Sequence, residues 1–255
     1  MNNRIICYKD ELNDDFSKAK ITPRIIDETY IYEHKNLWWE FASFMLQNFL
    51  TMPIKILYGK IKLRLKYYGK EKLKKYKKEG YFVYVNHTQE FADVFIPSLA
   101  IYPKRNFFIV NPENVSMKIL GNSVQLMGAI PIPNNISGMK NFIHSIHKKI
   151  EKNYSITIYP EAHIWPFYTK IRPFKAVSFK YPIKLNKPAF CMTNTYQKYG
   201  KNKFRVITYI DGPFFTDETK TIKERQLELR NMIYNKMVER SKNSNYEHIK
   251  YIKEE

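Results

Sequence analysis

The run Asn86-His87-Thr88-Gln89-Glu90-Phe91-Ala92-Asp93 holds the residue types that proton-transfer chemistry needs. A histidine titrates near neutrality, and a carboxylate bound to one ring nitrogen orients the ring and leaves the other nitrogen to accept a proton. Such a pair is a general base for a weakly acidic group such as a hydroxyl. Asp93 is one candidate for the supporting acid; Glu90, nearer in sequence, is the other. The two cysteines, Cys7 and Cys191, match neither a disulfide framework nor a zinc-binding spacing, so reduced thiols are expected. None of the 8 glycines stands in a G-x-G-x-x-G or P-loop arrangement, which argues against ATP or NAD chemistry.

A base of this kind has to be held at the end of a rigid element. Tyr81–Val85 is aromatic and β-branched between Gly80 and Asn86, and predicts a buried strand ending two residues before the histidine. Further strands are predicted at Asn106–Val110 and at residues 155–159, 187–195 and 204–210. Met139, Phe142, Ile143, Ile146 and Ile150 mark one face of a helix, and Ile222, Leu229, Ile233 and Met237 mark a C-terminal one. The alternation predicts a single layered α/β domain: a mixed, largely parallel sheet flanked by helices, preceded by an N-terminal amphipathic helical segment. The expected boundaries are an irregular arm over 1–34, the amphipathic segment over 35–80, the main domain over 81–241 and a polar tail over 242–255.

Charge adds a second constraint. The chain has 43 Lys and Arg against 24 Asp and Glu, a net charge of +19, while 44% hydrophobic residues suffice for a core. Nucleic acid, anionic lipid and phosphorylated substrates are the polyanions such a chain attracts. Leu37, Trp38, Trp39, Phe41 and Phe44 open an apolar stretch, and Leu50, Ile54, Leu57, Ile61, Leu65 and Tyr68 continue it at helical spacing. Pro53 is expected to kink or divide this helix. Eleven Lys or Arg crowd positions 55–80. An apolar stripe with a basic flank suits the surface of an anionic membrane, the alternative being an ordinary packing helix with a solvated basic face. The uncharged run 41–54 is shorter than the roughly 18 residues a spanning helix needs, and no secretory signal opens the chain. The expectation is a cytoplasmic protein, peripherally attached to the cytoplasmic membrane.

Four blocks in order resemble the motifs of the glycerolipid acyltransferases related to lysophosphatidic acid acyltransferase. NHTQEFAD at 86–93 is similar to the first, GNSVQLMGAIPIPN at 121–134 to the second and YPEAH at 159–163 to the third, Phe-Pro-Glu-Gly-Thr-Arg. RPFKAVSF at 172–179 resembles the segment after the third, and NKPAFCMT at 186–193 the fourth. The resemblance implies transfer of an acyl group from acyl-CoA or an acyl carrier protein to a lipid hydroxyl at a membrane surface. It implies His87 as the base with Asp93 behind it, no cofactor and no metal, and no nucleic-acid partner. Five residues separate His87 from Asp93, where the family usually has four. The third motif's Gly, Thr and Arg are Ala162, His163 and Ile164 here, and the second motif's closing Asp-Arg is Pro133-Asn134. The arginines are the family's expected ligands for an acceptor phosphate, and a guanidinium grips phosphate as Asn and Ile do not. Glu161, His163, Arg172, Lys170 and Asn134 are therefore the candidate acceptor contacts, with Lys175 beside them. Either other cations replace the lost ones, or the acceptor lacks a phosphomonoester. A metal site of His163 with His144 and His147 lacks a carboxylate set. The rival readings are an inactive acyltransferase-like lipid-binding protein and a basic nucleic-acid-binding module.

Overall fold

Every side chain of Tyr81–Val85 is buried, as a strand covered on both faces requires. The structure, a computed structural model, describes residues 4–17, 21–117, 121–201 and 203–254. The strands are β1 (Arg4–Tyr8), β2 (Lys66–Tyr68), β3 (Tyr81–Val85), β4 (Asn106–Val110), β5 (Ala129–Pro131), β6 (Ser155–Ile158), β7 (Ala189–Lys198), β8 (Phe204–Phe214) and β9 (Ile249–Lys253). The helices are α1 (Leu37–Met45), α2 (Thr51–Ile61), α3 (Lys70–Lys74), α4 (Phe95–Ile101), α5 (Pro112–Val115), α6 (Gly121–Leu126), α7 (Met139–Glu151), α8 (Lys180–Leu185) and α9 (Ile222–Ser241). Among the described residues the main sheet runs β2-β8-β7-β3-β6-β4-β5. Its neighbours are parallel except for β7 with β8. The expected α/β architecture with a mixed, mostly parallel sheet is the one observed.

Alternate residues of β3 feed opposite cores. Phe82 and Tyr84 pack with α7, α8 and α9, whereas Tyr81, Val83 and Val85 pack on the face of α3 and α4. The crossover from β3 to β4 therefore passes one face through α4, and that from β6 to β7 passes the other through α8. Neighbouring strands whose crossovers leave to opposite faces open a crevice at their C-terminal ends, where ligands of α/β sheets bind. His87 follows β3 and Tyr159 follows β6, so both stand at that crevice.

The boundaries read from sequence need correction at both ends. The arm includes β1, which pairs in parallel with β9 from the polar tail. Farther along the arm, Ile26 is fully buried and the Tyr32 hydroxyl donates to Pro131 O at 2.8 Å. The expected helical stripe also ends early: Leu65 follows a left-handed Arg64, and Tyr68 belongs to β2, stacked on Tyr209 of β8. Sheet pairing outweighs helical periodicity there. Pro53 does not break the helix. Helical backbone continues from α1 to α2 through a π turn over Leu46–Leu50, which leaves Pro53 in the first turn of α2 where a missing N–H is tolerated.

The amphipathic segment carries its polarity inside out. Leu50, Ile54, Leu57 and Ile61 are 64, 58, 60 and 56% exposed, and Leu37, Trp38 and Phe41 are exposed too. Ser43, Gln47 and Lys55 face the domain instead. Arg105 supports this inner face by binding Glu40 at 3.0 Å and the Ser43 hydroxyl at 2.6 Å. No helix among the described residues is long and apolar enough to cross a membrane.

Candidate active site

Asn86 fixes the exit of β3. Its side chain donates to Asn194 O at 3.1 Å and accepts from Asn194 N at 2.8 Å, clamping the strand end to β7. The next two turn residues are equally tied: the Tyr196 hydroxyl donates to Thr88 Oγ1 at 2.8 Å and accepts from Gln89 Nε2 at 2.8 Å. The turn then closes through Asp93 N–H donating to Gln89 O at 3.2 Å, which accommodates five residues between His87 and Asp93. As a result His87 Nδ1 lies 2.5 Å from Asp93 Oδ2. Asp93, which is buried, is by this contact the acid beside the ring, and Glu90 is exposed.

Two further residues hold the imidazole. Tyr159 stacks on it with ring centres 4.5 Å apart, and the Tyr159 hydroxyl donates to Asp93 O at 2.6 Å. Glu161 accepts from His87 N–H at 2.8 Å through one oxygen and from Arg172 N–H at 2.8 Å through the other. Burial pushes the Glu161 carboxyl up, against the pull of Arg172 and the two N–H donors. Burial likewise raises Asp93, with the contact to His87 opposing it. Desolvation thus resists charge on both acids, and each depends on its partner to offset it.

Of the candidate acceptor contacts, the structure brings Glu161, His163 and Lys175 to the cavity beside His87 and leaves the other three elsewhere. Arg172 is corrected from substrate ligand to internal support. It is buried with its guanidinium 4.9 Å over the Trp165 ring, and it donates to Glu11 O, Glu161 O and His163 O. Asn134 is spent on the arm, accepting from Ile26 N–H at 2.8 Å and donating to Arg24 O at 2.9 Å. Lys170 is exposed and does not line the cavity. His163 Nδ1 stands 3.6 Å from Asp15 of the arm. His144 and His147 lie on an exposed face of α7, and among the described residues no three His, Cys, Asp or Glu side chains gather as a metal site.

Backbone geometry accounts for the glycines of the second block and one substitution in the third. A Cβ at Gly121 would lie 2.4 Å from Val115 O, and Gly128 adopts φ +102°. Ala162 occupies the left-handed region at φ +62°, in the position where the resembling motif carries Gly. Ala162→Gly is accordingly expected to stabilise the fold by about 0.5–1 kcal/mol, the relief of left-handed strain less the added chain entropy. Thermal unfolding checks it.

The His87–Asp93 pair opens into a cavity of about 860 Å³. Phe91, Val94, Phe95, Phe108 and Met127 line it toward α2, and Met139, Phe142 and Tyr181 line it toward α7 and α8. Ile54 and Lys55 of α2 form part of its wall, so the cavity adjoins the helix with the exposed apolar stripe. The loop after β1 contributes Leu12 and Asn13. Sequence reasoning missed three structural members of the site. Tyr159 has only its place in the third block to mark it, Lys55 is one of many lysines, and no spacing singles out Trp165. In the fold Trp165 is fully buried, donates through its N–H groups to His87 O and Asp14 O, and stacks on Tyr251 of β9.

No curated protein sequence matches the chain. Among solved structures it is similar to the crystal structure of the 1-acyl-sn-glycerophosphate (LPA) acyltransferase, PlsC, from Thermotoga maritima, with a TM-score of 0.52 and 15% identity. That match covers 81% of this chain and 88% of the other, and at this identity it is a likeness of fold. The acyltransferase family model matches residues 64–194, just over half of the chain, from the turn before β2 through the strand exit, the His87–Asp93 pair and Glu161 to β7. The chain belongs to the acyltransferase family.

Proposed function

We propose that the protein moves a fatty acyl group from a thioester, acyl-CoA or an acyl carrier protein, to a hydroxyl of a glycerolipid or lysophospholipid at a membrane surface. The observation that carries this reading is the His87–Asp93 pair, 2.5 Å apart, opening into a largely apolar cavity. An alcohol at neutral pH is almost fully protonated and attacks poorly. With Nδ1 engaged by Asp93, His87 Nε2 takes the hydroxyl proton as the oxygen bonds to the thioester carbonyl carbon. The tetrahedral intermediate collapses by breaking the C–S bond, and the imidazolium returns its proton to the leaving thiolate. Asp93 stabilises the imidazolium while it exists.

Transfer is direct in this scheme, without an acyl-enzyme. Cys191 lies inside β7, where burial pushes its thiol up, and Cys7 is exposed on β1, outside the cavity lining. The exposed stripe of α1 and α2 is the docking face, with the net charge of +19 drawing the protein to an anionic leaflet. Because Leu57 is exposed, Leu57→Asp is expected to leave the fold intact and to weaken co-sedimentation with anionic vesicles at least about tenfold, the loss of one leucine's burial in lipid. The function is tested by supplying labelled acyl-CoA or acyl carrier protein with a panel of lysolipids. Label is expected in a lipid product with wild type and absent with His87→Ala.

A further inference from the structure

Among the described residues four basic side chains are buried: Lys55, Arg105, Lys149 and Arg172. Three of them face carboxylates. Arg105 binds Glu40 at 3.0 Å, Lys149 binds Glu33 at 2.7 Å, and Arg172 lies 3.9 Å from Glu161. Lys55, only 8% exposed, has neither a carboxylate nor a hydrogen-bond acceptor among the described residues. Burial alone acts on it, pushing its pKa down to about 8. A lysine so largely enclosed without an anion carries a desolvation cost, and the other three show how this fold answers it. The Lys55 side chain lines the cavity that holds His87 and Asp93.

We propose that Lys55 binds the phosphate of an anionic lysolipid acceptor, supplying from the docking helix a cation that the altered second and third motifs do not. This rests on the acyl-transfer reading above. At the two positions where the motifs carry arginine stand Asn134, spent on the arm backbone, and Ile164, which is apolar; Arg172, close behind, is enclosed by Glu161 and three carbonyls. Lys55 is differently placed. The opposite side of its helix is the exposed stripe of Leu50, Ile54, Leu57 and Ile61, so a lipid drawn from the leaflet passes α2 to reach His87. An acyl tail and a pantetheine arm are uncharged, and the phosphates of coenzyme A approach from water. A lipid phosphate is the anion that reaches a lysine on the membrane side of the cavity.

Two readouts test this. In the first, the KM for lysophosphatidic acid divided by that for monoacylglycerol is measured at fixed acyl donor in wild type, Lys55→Met and Lys55→Arg. The ratio is expected to rise at least tenfold in Lys55→Met and to be largely restored in Lys55→Arg. An unchanged ratio, or an altered acyl-chain preference in its place, overturns the proposal. In the second, amine acetylation of Lys55 in the wild-type protein is followed by mass spectrometry with neutral vesicles containing lysophosphatidic acid, vesicles containing monoacylglycerol, coenzyme A or inorganic phosphate. Protection by lysophosphatidic acid alone supports the proposal. Equal protection by inorganic phosphate, protection by coenzyme A instead, or none by lysophosphatidic acid overturns it. This second readout needs no turnover, so it decides the phosphate site even if the acyl-transfer reading fails.

Discussion

His87→Ala is expected to lower acyl transfer by about 10²- to 10⁴-fold, the range a positioned general base contributes. The thermal midpoint should fall as well, because the substitution leaves the buried Asp93 carboxyl without its partner, so rates are compared per folded protein; the backbone N–H bonded to Glu161 survives the substitution. Asp93→Ala should approach the same loss by a different route. It leaves the ring without the carboxylate 2.5 Å from Nδ1, so the tautomer and orientation needed at Nε2 are no longer enforced. Glu90→Ala, measured beside it, should fall far less, since Glu90 is exposed and Asp93 occupies the position against the ring. Steady-state rates with a lysolipid acceptor check all three, and a Glu90 loss exceeding that of Asp93 would reverse the assignment.

Glu161→Ala is the substitution expected to cost most in stability, roughly 3–5 kcal/mol, as when one partner of a buried charge pair is removed. The substitution strands the buried Arg172 guanidinium and frees two backbone N–H groups, those of His87 and Arg172. Glu161→Gln keeps one acceptor oxygen and should fall between the two. Chemical denaturation measures these differences. The pattern separates a supporting acid from a substrate contact: a residue that only touched acceptor would change KM and leave the unfolding midpoint in place. Because Glu161 also holds the His87 backbone, the folded fraction of Glu161→Gln should lose turnover as well.

The sheet and the pairing of His87 with Asp93 were legible in the sequence because local rules agree there with the tertiary answer. Tyr81–Val85 reads as a buried strand from its side chains alone, and Asn86 and His87 stand where any strand of that length must end. Likewise the α7 face of Phe142, Ile146 and Ile150 is buried as its spacing requires. The ribbon of β1 with β9 was not legible. Its strands carry mixed charge, lie at opposite ends of the chain, and gain order by clamping Trp165 between Tyr8, Phe16 and Tyr251. Arg172 shows another limit. Position in a motif suggested a phosphate ligand, but its burial and its engagement by Glu161 and backbone carbonyls depend on how the arm folds over it. Lys55 is the converse case, since only the direction in which α2 presents its polar side distinguishes it from the solvated lysines around it.

The most direct measurement follows both products of one reaction on lysolipid-containing vesicles: free thiol released from the acyl donor, and acylated lipid formed. Equal amounts of the two, both lost in His87→Ala, are predicted. Thiol release without acylated lipid, or full transfer by the His87→Ala variant, would contradict direct transfer driven by this imidazole.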